Sequence, residues 1–136
     1  MESSWVRKGI AIVTIVYTIA LTVGSLIKPV VIKASFSHVD KLIHLCAYLG
    51  LAFLWMSFYQ LQKRSFTPEV NFSKIHFVIA VMIIVYGIII EVLQGGITNY
   101  RTPDVWDVLA NTIGVFIGSL IFVIIFKNFK RLKSIN

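Results

Sequence analysis

The chain has 136 residues, 57% of them hydrophobic and 14% charged, with a mean hydropathy of +0.84. Soluble domains carry about 25% charged residues, and so short a chain cannot bury this much apolar surface in a core of its own, which excludes a lone soluble domain and a disordered chain alike. The net charge of +7 reads as cytoplasmic anchoring of a membrane chain and not as a nucleic-acid face, and the single cysteine excludes an intrachain disulfide and a zinc cluster.

The apolar residues fall into four blocks, each near the roughly 20 residues that cross a bilayer. The first covers about 9–27 and follows Arg7 and Lys8. It exceeds the about 7–15 residues of a signal h-region, and TVGSLIKP is a poor A-x-A site, so it reads as a retained helix. The others cover about 41–61, 75–94 and 105–126. Pro29, Pro68 and Pro103 all lie between blocks, where a missing N–H breaks no helix. Ser73 and Thr102 are the expected N-caps of the third and fourth helices, with Pro103 at a first helical position. No repeat or low-complexity stretch divides the chain. Residues 1–136 therefore form a single domain, an all-α four-helix membrane bundle.

Four spans place both termini on one side. That side holds nine of the 13 basic residues, with Lys28, Lys33, Lys41 and Arg101 opposite. The positive-inside rule makes it cytoplasmic, so the expected topology is N-in and C-in, in the inner membrane. Four of the six acidic residues, Asp40, Glu91, Asp104 and Asp107, then belong to the outer end. At about 1.5 Å per residue, His44, Glu91 and Asp107 come to nearly one level of the outer leaflet. Asn111 shares the Asp107 face, and Tyr48 the His44 face, because i and i+4 align. Ionisable groups in hydrocarbon cost several kcal/mol unless they turn inward and find partners. They are expected to converge on an outward-opening polar pocket, roofed by the 95–103 loop and Arg101.

The same residues make a pattern: Asp40-Lys41-x-x-His44-x-x-x-Tyr48, then Glu91-x-x-Gln94, Arg101, and Asp107-x-x-x-Asn111-x-x-Gly114-x-x-x-Gly118. In order, spacing and helix placement it resembles the VanZ-like family of small bacterial membrane proteins over about residues 40–118. The first helix matches only as a hydrophobic span, and Asp104 falls where relatives vary. The family's founding member is associated with resistance to the glycopeptide teicoplanin, so the resemblance implies a cell-envelope role.

Each residue also has a plainer reading. Asp40 can cap the second helix, and Asp104 can complement the dipole of the fourth. Glu91 or Asp107 can pair with Lys41 or Arg101 to fix helix register. His44 can be a packing histidine, and Asn111 interhelical glue. Trp5, Lys74 and His76 read as interfacial anchors, His38 as a loop residue and Cys46 as core packing. The Ala110–Gly114–Gly118 ridge suits close packing within the chain, or else a homodimer; Gly87 lets a neighbour or ligand approach Glu91.

Three chemistries suit the expected ligand-binding set of Asp40, Lys41, His44, Tyr48, Glu91, Gln94, Arg101, Asp107 and Asn111. Lys41 and Arg101 can hold a phosphate or carboxylate. His44, Glu91 and Asp107 can hold a divalent cation, or act as catalytic acid and base without one. The accessible ligands are envelope lipids, undecaprenyl-linked or peptidoglycan precursors and, through the resemblance, a glycopeptide. Binding or shielding such a ligand leads. An envelope-lipid enzyme follows, although no nucleophilic serine or cysteine motif is present and the signature of phosphatidic-acid-type phosphatases is absent. Transport comes third, since the first helix lacks an ionisable residue between Lys8 and Lys28 and the cluster lies away from the midplane.

Overall fold

The computed structural model describes residues 4–27, 39–62, 72–97 and 103–133. They form four helices: α1 (Ser4–Leu26), α2 (Val39–Gln62), α3 (Phe72–Ile97) and α4 (Val105–Lys133). All four are long and apolar enough to cross a membrane, and no strand occurs among the described residues. The helices outrun the apolar blocks at several ends. Hydropathy marks the hydrocarbon layer, whereas the lysine, arginine and glutamine beyond it are good helix formers.

Polar contacts fix which ends meet. At one end of the bundle, Arg7 near the start of α1 donates to Gln62 at the end of α2 (3.0 Å). At the other, Gln94 of α3 donates to the Ser25 carbonyl of α1 (2.7 Å), and Lys41 of α2 reaches Asp107 of α4. Consecutive helices therefore run antiparallel, while α1 and α3, and α2 and α4, run parallel to each other. α2 and α3 each touch all the other helices, whereas α1 and α4 do not meet among the described residues.

The tightest seam joins α2 and α4, and small residues make it possible. A Cβ at Gly114 would strike the Leu45 carbonyl oxygen, and one at Gly118 the Leu49 carbonyl oxygen. The glycine ridge thus packs within the chain. Tyr48, Leu51, Met56, Ile83, Val115 and Phe122 fill the core beside it, while large apolar side chains such as Ile19, Phe77, Met82 and Phe116 face outward. An apolar exterior around a modest core suits a lipid solvent.

α1 adheres by a different device. Its one buried residue is Thr14, and Thr14, Thr18 and Thr22 run down one face at i, i+4 spacing. Each hydroxyl donates to the carbonyl one turn back. Thr18 also accepts from Trp55 Nε1 (3.2 Å), and Thr22 meets the Tyr86 hydroxyl at 2.7 Å. Tyr17 donates to the Ala47 carbonyl at 2.9 Å. Polar glue of this kind substitutes for the hydrophobic drive that lipid removes.

Three expectations need correction. Pro103 precedes α4 instead of opening it, and the cap is Asp104: its carbonyl accepts from Val108 N (3.3 Å) and Oδ1 from Trp106 N (2.8 Å). Thr102 lies outside the described residues, as do His38 and Arg101, and Ser73 falls inside α3. His76 is no interfacial anchor but is buried, stacked on Phe122 with centroids 5.0 Å apart; α4 runs far enough to cover it. Cys46 is exposed on the flank of α2, because the core-facing side of that helix is taken by His44, Tyr48 and Leu51. Trp5 is exposed, with Lys8 Nζ 5.9 Å from its ring centre.

Candidate functional site

Where α2 and α4 begin, their polar residues interlock. Lys41 Nζ donates to Asp104 Oδ2 at 2.6 Å and to Asp107 Oδ1 at 2.9 Å. One ammonium thus ties the first turn of α2 to the N-cap and first turn of α4. Together with the Trp106 N–H, it holds the Asp104 carboxyl below the ordinary carboxylate value, with the Lys41 bond the larger cause.

One turn below Lys41, His44 is buried. Its Nδ1 lies 3.1 Å from Asn111 Oδ1, which assigns the proton on that nitrogen to the bond, since the amide oxygen only accepts. Nε2 then points between two carboxylates, 4.0 Å from Asp40 Oδ1 and 3.9 Å from Asp107 Oδ2. Asp40 shares a face with His44 at i, i+4. Its position just inside the first turn also suits the helix dipole.

α3 joins through one bond. The Asp104 N–H donates to Glu91 Oε1 at 2.8 Å, so Glu91 serves the backbone at the start of α4 and makes no hydrogen bond or ion pair with His44 or a lysine among the described residues. Glu91 Oε2 and the Tyr48 hydroxyl are shielded from solvent without a hydrogen-bond partner among the described residues. The Tyr48 ring fills the space over Gly87, where a Cβ would press on it at 2.9 Å. Gln94 is buried and bonded to α1.

Five of the nine expected residues therefore form one connected group: Asp40, Lys41, His44, Asp107 and Asn111. Glu91 attaches to it through Asp104. Tyr48 and Gln94 sit apart from it, and Arg101 lies outside the described residues. Asp104 is the member that sequence reasoning passed over. Its three-residue offset from Asp107, just before an apolar block, was the available signal.

A groove of about 510 Å³ runs beside the cluster on the α2–α4 flank. Leu42, Leu45, Trp106, Leu109 and Ile113 line it, and Lys41 belongs to both groove and cluster. The arrangement offers charge and hydrogen bonds at one end and a continuous apolar channel below.

A protein-family model described as VanZ/LLP1 matches residues 3–127. No curated protein and no solved structure matches the chain.

Proposed function

The chain belongs to the VanZ/LLP1 family, and from that premise we propose that the α2–α4 end receives an amphipathic cell-envelope molecule, its polar head at the Lys41 cluster and its tail along the adjoining groove. The observation that carries this reading is the position of Lys41, which pairs with Asp104 and Asp107 while bordering the apolar groove. A lipid-linked wall precursor has that two-part character. The family link to teicoplanin resistance extends the candidates to a peptidoglycan precursor or a glycopeptide, shielded or bound at the same place.

The distribution of lysine and arginine supports an N-in, C-in orientation, with the site facing out of the cytoplasmic membrane. A tag after Asn136 that is labelled from outside intact cells would overturn that orientation.

Leu109→Trp narrows the groove from an exposed position, so the fold should tolerate it. In nanodiscs containing undecaprenyl phosphate, native mass spectrometry should find lipid retention reduced about tenfold, a loss of roughly 1.4 kcal/mol. Unchanged retention in Leu109→Trp and in Lys41→Gln would sink the proposal.

An envelope-lipid enzyme is the second reading, favoured by the grouping of His44 with Asp40 and Asp107. His44→Ala and Asp107→Asn separate the two. An enzyme loses turnover and keeps part of its affinity, whereas a binder loses affinity.

A further inference from the structure

We propose that Asp40, His44 and Asp107 are the protein ligands of one divalent metal ion, Zn2+ or Mn2+, at the mouth of the α2–α4 seam. This deepens the reading of the site given above and rests on it. The three side chains each present one ligand atom, and these atoms lie within 4.8 Å of one another.

His44 supplies the first argument. It is about nine-tenths buried, and Asn111 fixes Nδ1, the outer partner that a metal-bound imidazole characteristically has. Its Nε2 has no hydrogen bond among the described residues and faces two carboxylate oxygens at 3.9 and 4.0 Å. A proton shared with either oxygen would bring them to about 2.7–2.9 Å. The ligands of one tetrahedral Zn2+ stand about 3.4 Å apart, given the ~2.1 Å bond. The gaps of 3.9 and 4.0 Å are too long for a direct hydrogen bond and about half an ångström wider than an ion would draw them, and the third pair, within 4.8 Å, has furthest to close.

Charge supplies the second. Asp104 and Asp107 share the single ammonium of Lys41, with the His44 imidazole beside the second of them. Asp107 divides its oxygens, Oδ1 toward Lys41 and Oδ2 toward His44, so a cation at Nε2 need not displace the lysine. The Asp-x-x-x-His spacing puts two ligands on one helical face, and imidazole with carboxylates favours zinc or manganese over calcium. Glu91 stays outside the group of converging ligand atoms and serves the Asp104 N–H instead. Positions left open on the ion can accept a phosphate oxygen of a lipid head group.

The test uses the full chain in nanodiscs, stripped by chelator and titrated with Co2+, then with Zn2+. The expected result is one Co2+ per chain with ligand-field absorption, displaced by Zn2+. Affinity should fall at least tenfold in Asp40→Asn, whose half-exposed side chain spares the fold, and in His44→Gln, and stay unchanged in Glu91→Gln. Folded wild-type protein without stoichiometric binding overturns the proposal, as does Asp40→Asn binding like wild type. Undecaprenyl phosphate retention by the stripped protein is read in parallel. If it persists while metal binding is absent, the metal proposal alone has failed; if it too is absent, the binding reading has fallen with it.

Discussion

The N–H of Asp104 donates to Glu91 Oε1 at 2.8 Å, so a side chain in the last turns of α3 also anchors the backbone that opens α4. Glu91→Gln keeps an acceptor at that position, whereas Glu91→Leu leaves a backbone donor unsatisfied, at a cost of about 1–3 kcal/mol. Thermal unfolding in detergent should place Glu91→Gln close to wild type and Glu91→Leu well below it. Equal losses would show that the carboxylate charge, and not the Asp104 bond, is what matters.

His44 and Asn111 bridge α2 and α4 below the ion pairs. Interhelical side-chain bonds in membranes contribute about 0.6 kcal/mol on average and up to about 1.7. Asn111→Ala should therefore cost about 1 kcal/mol, and a His44–Asn111 double-mutant cycle in denaturant should recover most of it as coupling. Additive losses would deny the bond.

The two glycine environments predict opposite signs. Gly118 presses on the Leu49 backbone, while a Cβ at Gly24 meets nothing within 4 Å. Gly118→Leu should exceed the usual overpacking cost of about 1–3 kcal/mol, because carbonyls cannot yield as side chains do; little folded protein should survive size-exclusion chromatography. Gly24→Ala should gain roughly 0.5–1 kcal/mol from helix propensity. Its melting temperature should rise, and a fall would contradict the open space.

Asp104 gives the fold a pH dependence of known sign. Its carboxyl is held below the ordinary value by Lys41 and the Trp106 N–H, so folding favours the charged form. That stabilisation is full above the unfolded value, near pH 3.9, and is lost as pH falls through the lower folded value. Asp104→Asn keeps a capping oxygen and removes the charge. Melts in detergent should show a constant gap from wild type between neutral pH and about pH 5, closing in stronger acid. A gap that widens on acidification would reverse the assignment.

Cys46, the one cysteine, is exposed on α2 about 10 Å along the helix from its start, at 1.5 Å per residue. A membrane-soluble maleimide should label it in vesicles, and a charged, aqueous one should not. Ready labelling by the aqueous reagent would contradict a lipid-facing flank.

Much of this was legible before any coordinates. Block length and hydropathy located all four helices, because a bilayer demands about 20 apolar residues. The rarity of charge inside such blocks pointed to His44, Asp107 and Asn111. Direction around the helix axis was not legible. Nearly every position in these blocks is apolar, so no periodic contrast separates the core from the lipid face, and Cys46 and His76 were misplaced for that reason. Level did not reveal partner either: Glu91 stands near His44 in depth yet serves Asp104. Asp104 was discounted because complementing the helix dipole sufficed to explain it, although it both caps α4 and bridges to Lys41. The Lys41–Asp104 pair joins residues 63 apart in sequence, beyond any local pattern.

Gly114 and Gly118 bring α4 onto the carbonyls of Leu45 and Leu49, directly below the polar group on the same two helices. The spacing of the two helices beside Asp40, His44 and Asp107 is thus set by main chain against main chain. Such a gap behaves as a fixed gauge: exchanging the residues at its lips changes what it grips while its span stays the same.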